Sequence, residues 1–486
     1  MDPVLLIALP LFTAFLIPVA RRIWKPSAEV LPFLTLGFNL YLMISYIPRA
    51  LKAPIVVVIA NWKPPLGINL TIGPLGLFLA LIITFIAFLV AIYSIWYIRV
   101  EPKEKYCMLC MMLVTGSLGM VLTGDIFNMF VFMEITSISA YALTAFIRDR
   151  DGSEAAFKYL MIGSLSSNFV LLGILLIYVG TGTLNMADIA SKMPSMDPRL
   201  AVAAVILMVV GLGVESEMFP LNGWAPDAYS MAPAPIAAVF GAIVVKGAVY
   251  ALARMIYTIF NFHSLFYFLV IMGIITLLIG EMSALRQKQI KRMLAFSSIG
   301  QMGLILVALG LGTMGGLVAG LFQILNHAIL KALLFLAAGY LVYHSGSKDI
   351  ADMDGMGKRT PILALSFTIG AFGIMGLPPL NGFWSKFFVI SETVKSHYIV
   401  IASLILLGSV IEAVYYLRVV GRLFFKPAGE NIKAEPLPLS GFISMFVLVL
   451  AAIVIGLYPN WVMHLLQPAA RELLDKQFYI HSVLGQ

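Results

Sequence analysis

Apolar residues run along this chain in long stretches broken by short polar connections. A helix needs about 17–25 mainly apolar residues to cross a bilayer. The pattern predicts fourteen such spans, near residues 3–20, 29–47, 72–97, 107–123, 126–147, 155–180, 200–218, 234–260, 264–285, 292–312, 315–343, 361–394, 397–424 and 438–463. The expected fold is therefore all-α: a polytopic membrane protein whose surface faces a lipid bilayer. Composition agrees, with 61% hydrophobic residues, 12% charged residues and a mean hydropathy of +0.97 over 486 residues, well outside the range of soluble domains.

Charge placement predicts an orientation. The first span follows Asp2 and precedes Arg21, Arg22 and Lys25, as in an uncleaved anchor whose N-terminus lies outside. On that assignment the inner loops collect twenty Lys and Arg, among them Arg99, Lys103, Lys105, Arg148, Lys158, Arg292, Arg422 and Lys433, against eight on outer segments. Both termini of this cell (inner) membrane protein are thus expected outside, and the net charge of +8 reads as topology rather than nucleic-acid affinity. Trp62, Trp96 and Tyr97 read as interfacial belt residues.

Little points to chemistry performed by the chain alone. Cys107 and Cys110 form a lone Cys-x-x-Cys, whereas a structural zinc or iron–sulfur site takes about four ligands. No glycine-rich nucleotide fingerprint follows a strand, and no catalytic triad faces water. We expect no cofactor or metal in this chain and no enzymatic activity on its own. Any redox cofactors would belong to partner subunits.

Pro220-Leu221-Asn222-Gly223 recurs as Pro379-Leu380-Asn381-Gly382, each soon followed by a tryptophan, Trp224 or Trp384. Ala248-Val249-Tyr250-x-Leu252 is echoed by Ala413-Val414-Tyr415-x-Leu417 at nearly the same offset. These pairs place equivalent helices five spans apart, and since five is odd, equivalents cross in opposite directions: an inverted repeat. The expected organisation is helices 1–3 in residues 1–105, a first repeat of helices 4–8 in 106–260, a second of helices 9–13 in 261–425, and helix 14 with a tail in 426–486. Proline and glycine free backbone groups that hydrocarbon cannot satisfy, so spans seven and twelve should be broken and face protein or water.

Charged residues inside the spans are the candidate site. Glu134, Lys246, Lys331 and Lys386 each sit in apolar company, and a charge at the bilayer centre costs about 2.5–3.5 kcal/mol on insertion scales. Gln323, His327 and Lys331 follow at i, i+4 and i+8, on one helical face. Histidine titrates near neutral pH, which suits a hydrated proton path better than a polar seam. Lys246 is the expected ion-pair partner of Glu134. Glu412 and Lys158 join the candidates for the path, Glu281 reads equally as interfacial, and Asp227 reads as an N-cap or turn carboxylate.

These motifs resemble the antiporter-like subunits shared by Mrp-type Na+/H+ antiporters, respiratory complex I and membrane-bound hydrogenases or related redox complexes. The resemblance rests on Phe219-Pro220 with Trp224-Ala225-Pro226-Asp227-Ala228, Ala234-Pro235-Ile236 leading to Lys246, and Lys291-Arg292-Met293-Leu294-Ala295-Phe296-Ser297-Ser298-Ile299. His327-Ala328 with Lys331-Ala332-Leu333-Leu334-Phe335 adds to it, as does Gly376-Leu377-Pro378-Pro379 with Gly382-Phe383-Trp384-Ser385-Lys386. It implies a fourteen-helix fold and an axis of polar residues carrying protons, or exchanging Na+ for H+, within a multisubunit complex. It also assigns Glu134, Lys246, the His327–Lys331 pair and Lys386 to that axis. The chain looks most like the shorter D-type subunits, without a long lateral helix.

One departure stands out. The family usually has a lysine in the broken seventh helix, but here the register reads Gly213-Val214-Glu215-Ser216-Glu217-Met218. Glu134 thus loses its expected cationic partner, and Glu134, Glu215 and Glu217 are expected to gather, sharing protons or a bound Na+. A different reading, a stand-alone inverted-repeat transporter of a small solute, predicts a roomy central site with an unpaired charge.

Overall fold

The computed structural model describes residues 2–427 and 437–485; Lys433, counted among the inner-loop cations, lies outside them. Thirteen helices among the described residues are long and apolar enough to cross a membrane. We number the spans α1 (Leu5–Ile23), α2 (Ser27–Ala50), α3 (Pro74–Tyr97), α4 (Lys103–Leu122), α5 (Ile126–Thr144), α6 (Arg150–Thr181), α7 (Pro198–Glu215, continued by Ala225–Met231), α8 (Ala234–Phe260), α9 (His263–Leu285), α10 (Ile290–Gly310) and α11 (Met314–Ser345). They continue as α12 (Pro361–Met375, then Asn381–Lys395), α13 (Ile399–Phe425) and α14 (Leu439–Leu457). The predicted architecture of fourteen crossings is thus present, the twelfth built from two short helices.

Both expected breaks are real. Helix α7 stops at Glu215, passes through an irregular segment holding Pro220 and Gly223, and resumes at Ala225. Helix α12 stops at Met375 and resumes at Asn381. A proline lacks the N–H that would continue the helical ladder, so each Pro-Leu-Asn-Gly marks an interruption. Span seven therefore runs past residue 218, where the apolar pattern ends, because its second half is a short helix that carries Asp227. Span twelve is two helices rather than one.

A hairpin and a shifted helix end lie outside the predicted pattern. Strands β1 (Ile55–Val58) and β2 (Asn69–Ile72) form an antiparallel hairpin between α2 and α3. The last span ends at Leu457 rather than residue 463, because Pro459 starts a new amphipathic helix, α15 (Asn460–Leu474), followed by α16 (Lys476–Leu484).

The interior is built around α8, α10 and α11, which are enclosed almost all round. In α8 two wider π-helical segments, Phe240–Val244 and Met255–Phe260, bracket the turns that carry Lys246 and Arg254; such segments recur at functional sites. Helices α9 and α10 touch backbone to backbone. A Cβ on Gly303 would lie 2.3 Å from the Leu277 nitrogen, so only glycine permits this approach, as at other small-residue membrane interfaces.

Candidate functional site: a buried polar line

The helices bring most of the expected residues into one interior line, but not with the expected partners. At one end, Glu134 on α5 accepts a hydrogen bond from Ser167 of α6. Glu215, at the last turn of the first half of α7, is 2% exposed and has no hydrogen bond or ion pair among the described residues; its Oε1 is an orphan. The charges of Glu134 and Glu215 act on each other and on the Tyr141 hydroxyl.

Glu217 leaves that group. Its backbone is left-handed, with φ of +58°, a conformation non-glycine residues rarely adopt, and its Oε1 accepts from the Tyr229 hydroxyl at 2.5 Å. Lys246 and Lys331 act on it electrostatically. Of the three carboxylates expected together, Glu134 and Glu215 act on each other only electrostatically, and Glu217 turns away to Tyr229, under the influence of Lys246 and Lys331.

Lys246 is not paired with Glu134. Its Nζ lies 2.5 Å from Nδ1 of His327 and 3.5 Å from the Met302 sulfur, because the enclosed α8 presents it toward α10 and α11. The α11 face predicted from spacing is present and packs onto α10 throughout. Gln323 Nε2 donates to Gln301 Oε1 at 2.6 Å, His327 Nε2 lies 3.3 Å from Ser298 Oγ, and Lys331 Nζ donates to Ser297 Oγ at 2.7 Å.

From there the line continues outward. Lys331 Nζ also donates to the Leu294 carbonyl at 3.1 Å and to the Tyr416 hydroxyl at 3.3 Å, and Tyr416 lies 3.0 Å from Ser297 Oγ. Gln301 Nε2 donates to Glu412 Oε1 at 2.7 Å. Lys386, in the second half of broken α12, forms an ion pair with the other Glu412 oxygen; their side chains are 8% and 1% exposed. The break supplies this geometry, since Lys386 also reaches the free carbonyl of Met375 at 3.4 Å, where the first half-helix ends.

One expected position lies off the line. Lys158 is about half exposed and pairs with Glu154 and Asp227 at 2.8 and 3.1 Å, so it belongs to the surface rather than the path. Asp227 is no N-cap; it bridges Lys158 and Arg292, the latter at 2.5 Å, tying the second half of α7 to α6 and α10.

Residues 123–412 match the family described as NADH:quinone oxidoreductase/Mrp antiporter, TM, and residues 63–106 match the N-terminus of NADH-ubiquinone oxidoreductase (complex I) chain 5. The chain is 33% identical over 487 residues to the N subunit of the NADH-quinone oxidoreductase of Desulforudis audaxviator, covering 94% of this chain and 95% of that one. This chain belongs to that family. It is also 30% identical over 435 residues to the D-type polypeptide of the Na(+)/H(+) antiporter of Bacillus subtilis, covering 88% of each. Among solved structures it is similar to a chain of an archaeal respiratory complex, the membrane-bound sulfane sulfur reductase, with a TM-score of 0.94, 41% identity and 99% of each chain covered. A chain of the Mrp complex from Dietzia sp. gives a TM-score of 0.92 at 26% identity, covering 99% of this chain and 98% of that one.

Sequence reasoning missed several members of this antiporter-family interior. Glu281 is not interfacial: it is fully buried and accepts from the Tyr415 hydroxyl at 2.8 Å, in space left by Gly300, whose Cβ would lie 2.3 Å from Glu281 Oε1. Ser297 and Tyr416 hold Lys331, and Gln301 holds Glu412, yet serine, glutamine and tyrosine in an apolar helix raise no signal alone. Arg254, buried on α8, pairs with Glu472 of α15 at 2.6 Å, and Glu472 Oε2 accepts from the Leu75 amide at the start of α3 at 2.9 Å.

Proposed function

We propose that this chain is an ion-translocating membrane subunit that moves protons along the buried line, within a multisubunit respiratory or Mrp-type complex. The observation that carries this reading is a succession of three buried polar clusters on neighbouring helices: Lys246–His327–Ser298, Lys331–Ser297–Tyr416 and Gln301–Glu412–Lys386. Each charged member has a neighbour that accepts or donates a proton, and none is held by one partner alone. Buried ionisable groups of this kind cost stability, and in membrane helices they mark ion and proton paths. Lys246 connects the halves because it lies against His327 while acting on Glu217. The two halves follow the inverted five-helix repeats of residues 106–260 and 261–425.

The chain performs no redox chemistry itself. Energy comes from an attached partner, a redox subunit with its own cofactors or a second ion gradient, and both termini lie outside. Reconstitution of the native complex into vesicles with a pH-sensitive dye tests the reading. Lys331→Ala should reduce proton uptake at least tenfold while the complex stays assembled; wild-type rates in an assembled Lys331→Ala complex would overturn it.

A further inference from the structure

Helices α2, α3 and α4 do not close on one another in the half of the membrane where α4 begins. Between them lies a cleft with about 650 Å³ of empty space, lined by Pro32 and Leu36 of α2, Ala87 and Val90 of α3, and Met111 and Val114 of α4. These residues are buried. The cleft therefore runs between helices and is distinct from the outer face of α2, where Phe33 and Leu34 are exposed. Val239 of α8 also lines it. Lys103, Cys107 and Cys110, which share one face of α4, are only partly buried and mark its open side.

The walls call for an apolar occupant. The Ser94 and Tyr106 hydroxyls on them satisfy each other at 2.9 Å, and the deep wall is hydrocarbon and sulfur. Protein interiors hold few voids larger than a water molecule, and an apolar cavity stays dry and takes apolar molecules. Length selects among these. From Lys103 to Val114 the cleft follows about three turns of α4, roughly 16 Å at 1.5 Å per residue. Half of a hydrocarbon core ~30 Å thick is nearly the same, so the cleft has the reach of one acyl chain in one leaflet.

Charge at the polar end selects the headgroup. The acidic residues there already have partners: Glu29 pairs with Lys103 at 2.9 Å, and Glu101 and Glu104 pair with Arg21. Arg22, Lys25 and Lys105 have no ion pair among the described residues, and they line a second recess against the same first turns of α4. Basic recesses between membrane helices attract anionic lipid headgroups. We propose that the cleft holds one acyl chain of an anionic phospholipid, whose phosphate rests against the recess of Lys25 and Lys105. The lipid fills what α2, α3 and α4 leave open, independently of proton transfer along the buried line.

Cys107 and Cys110 are the two cysteines of the chain, and both line the cleft, so they report its filling. Alkylation of the purified intact complex by N-ethylmaleimide, read on their peptide by mass spectrometry, tests the proposal. In delipidated complex both thiols should react, and phosphatidylglycerol should slow the reaction about tenfold by excluding the reagent. Phosphatidylcholine should need about tenfold more lipid for the same protection, because it lacks the net charge that Lys25 and Lys105 attract. Lys25→Gln/Lys105→Gln should abolish that preference. Ala91→Phe, which fills the cleft from α3, should protect the thiols without lipid and copurify with one anionic phospholipid fewer per chain in native mass spectrometry. Equal protection by the two lipids, protection by decylubiquinone but by neither lipid, or unchanged lipid content in Ala91→Phe would each overturn the proposal. Thiols already unreactive in delipidated wild type would also overturn it, showing that a neighbouring subunit covers the cleft. The wild-type lipid series decides the question even where Ala91→Phe does not assemble.

Discussion

Neutralising Lys386 while leaving Glu412 in place tests how the second half holds its charges. In Lys386→Met the Glu412 carboxylate, 1% exposed, keeps only the Gln301 amide as a close partner. Removing one member of a buried ion pair costs about 3–5 kcal/mol because the other is left uncompensated. The surviving charge-assisted hydrogen bond argues for the low end, about 3 kcal/mol. Thermal unfolding moves by about 2–4 °C per kcal/mol for chains of 150–250 residues and by less for longer ones, so a drop of about 5 °C is expected. Glu412→Gln should cost a similar amount by stranding Lys386. The double variant Lys386→Met/Glu412→Gln removes both charges and should recover to within about 1 kcal/mol of wild type, since a buried pair replaced by neutral groups is often near neutral in stability. The assays are thermal unfolding of the purified complex and proton uptake in vesicles. All three variants should lose transport, and only the singles should lose stability. A double variant that loses the sum of the two singles would refute the pairing.

The surface bridge around Asp227 should behave differently. Asp227→Asn removes its ion pairs with Lys158 and Arg292, yet half-exposed pairs contribute little, so unfolding should shift by no more than about 2 °C. Arg254→Met should cost about 3–5 kcal/mol by stranding Glu472 in the interior, and limited proteolysis should then release fragments cut within residues 460–484.

The spans were legible because lipid demands uninterrupted apolar length, and a helix such as α3, 24 residues without a charged side chain, admits no other reading. The breaks were legible because Pro-Leu-Asn-Gly occurs twice in corresponding places. The α11 face followed from 3.6-residue periodicity, and all three of its polar side chains do meet α10. Partnerships were not legible, because which helices touch is decided by packing. Lys246 meets His327 across 81 residues of sequence, whereas Glu134, the nearer guess by charge, stays with Ser167. The parting of Glu215 from Glu217 depends on a left-handed residue that composition does not reveal. The hairpin of β1 and β2 was hidden because its strands are only four residues each and lie in the connection between the second and third spans, where so short an apolar run carries no signal.

The clamp between Arg254 and Glu472 also bears on how the protein is made. Its two halves are 218 residues apart. During synthesis α8 emerges with an ammonium and a guanidinium but without the carboxylate that balances the latter, and six more spans must enter the bilayer first. Arg254 is therefore left uncompensated until residue 472 has been translated. Only when α15 settles against α3 and α8 does the eighth helix become electrically complete, so a helix made more than two hundred residues later finishes it.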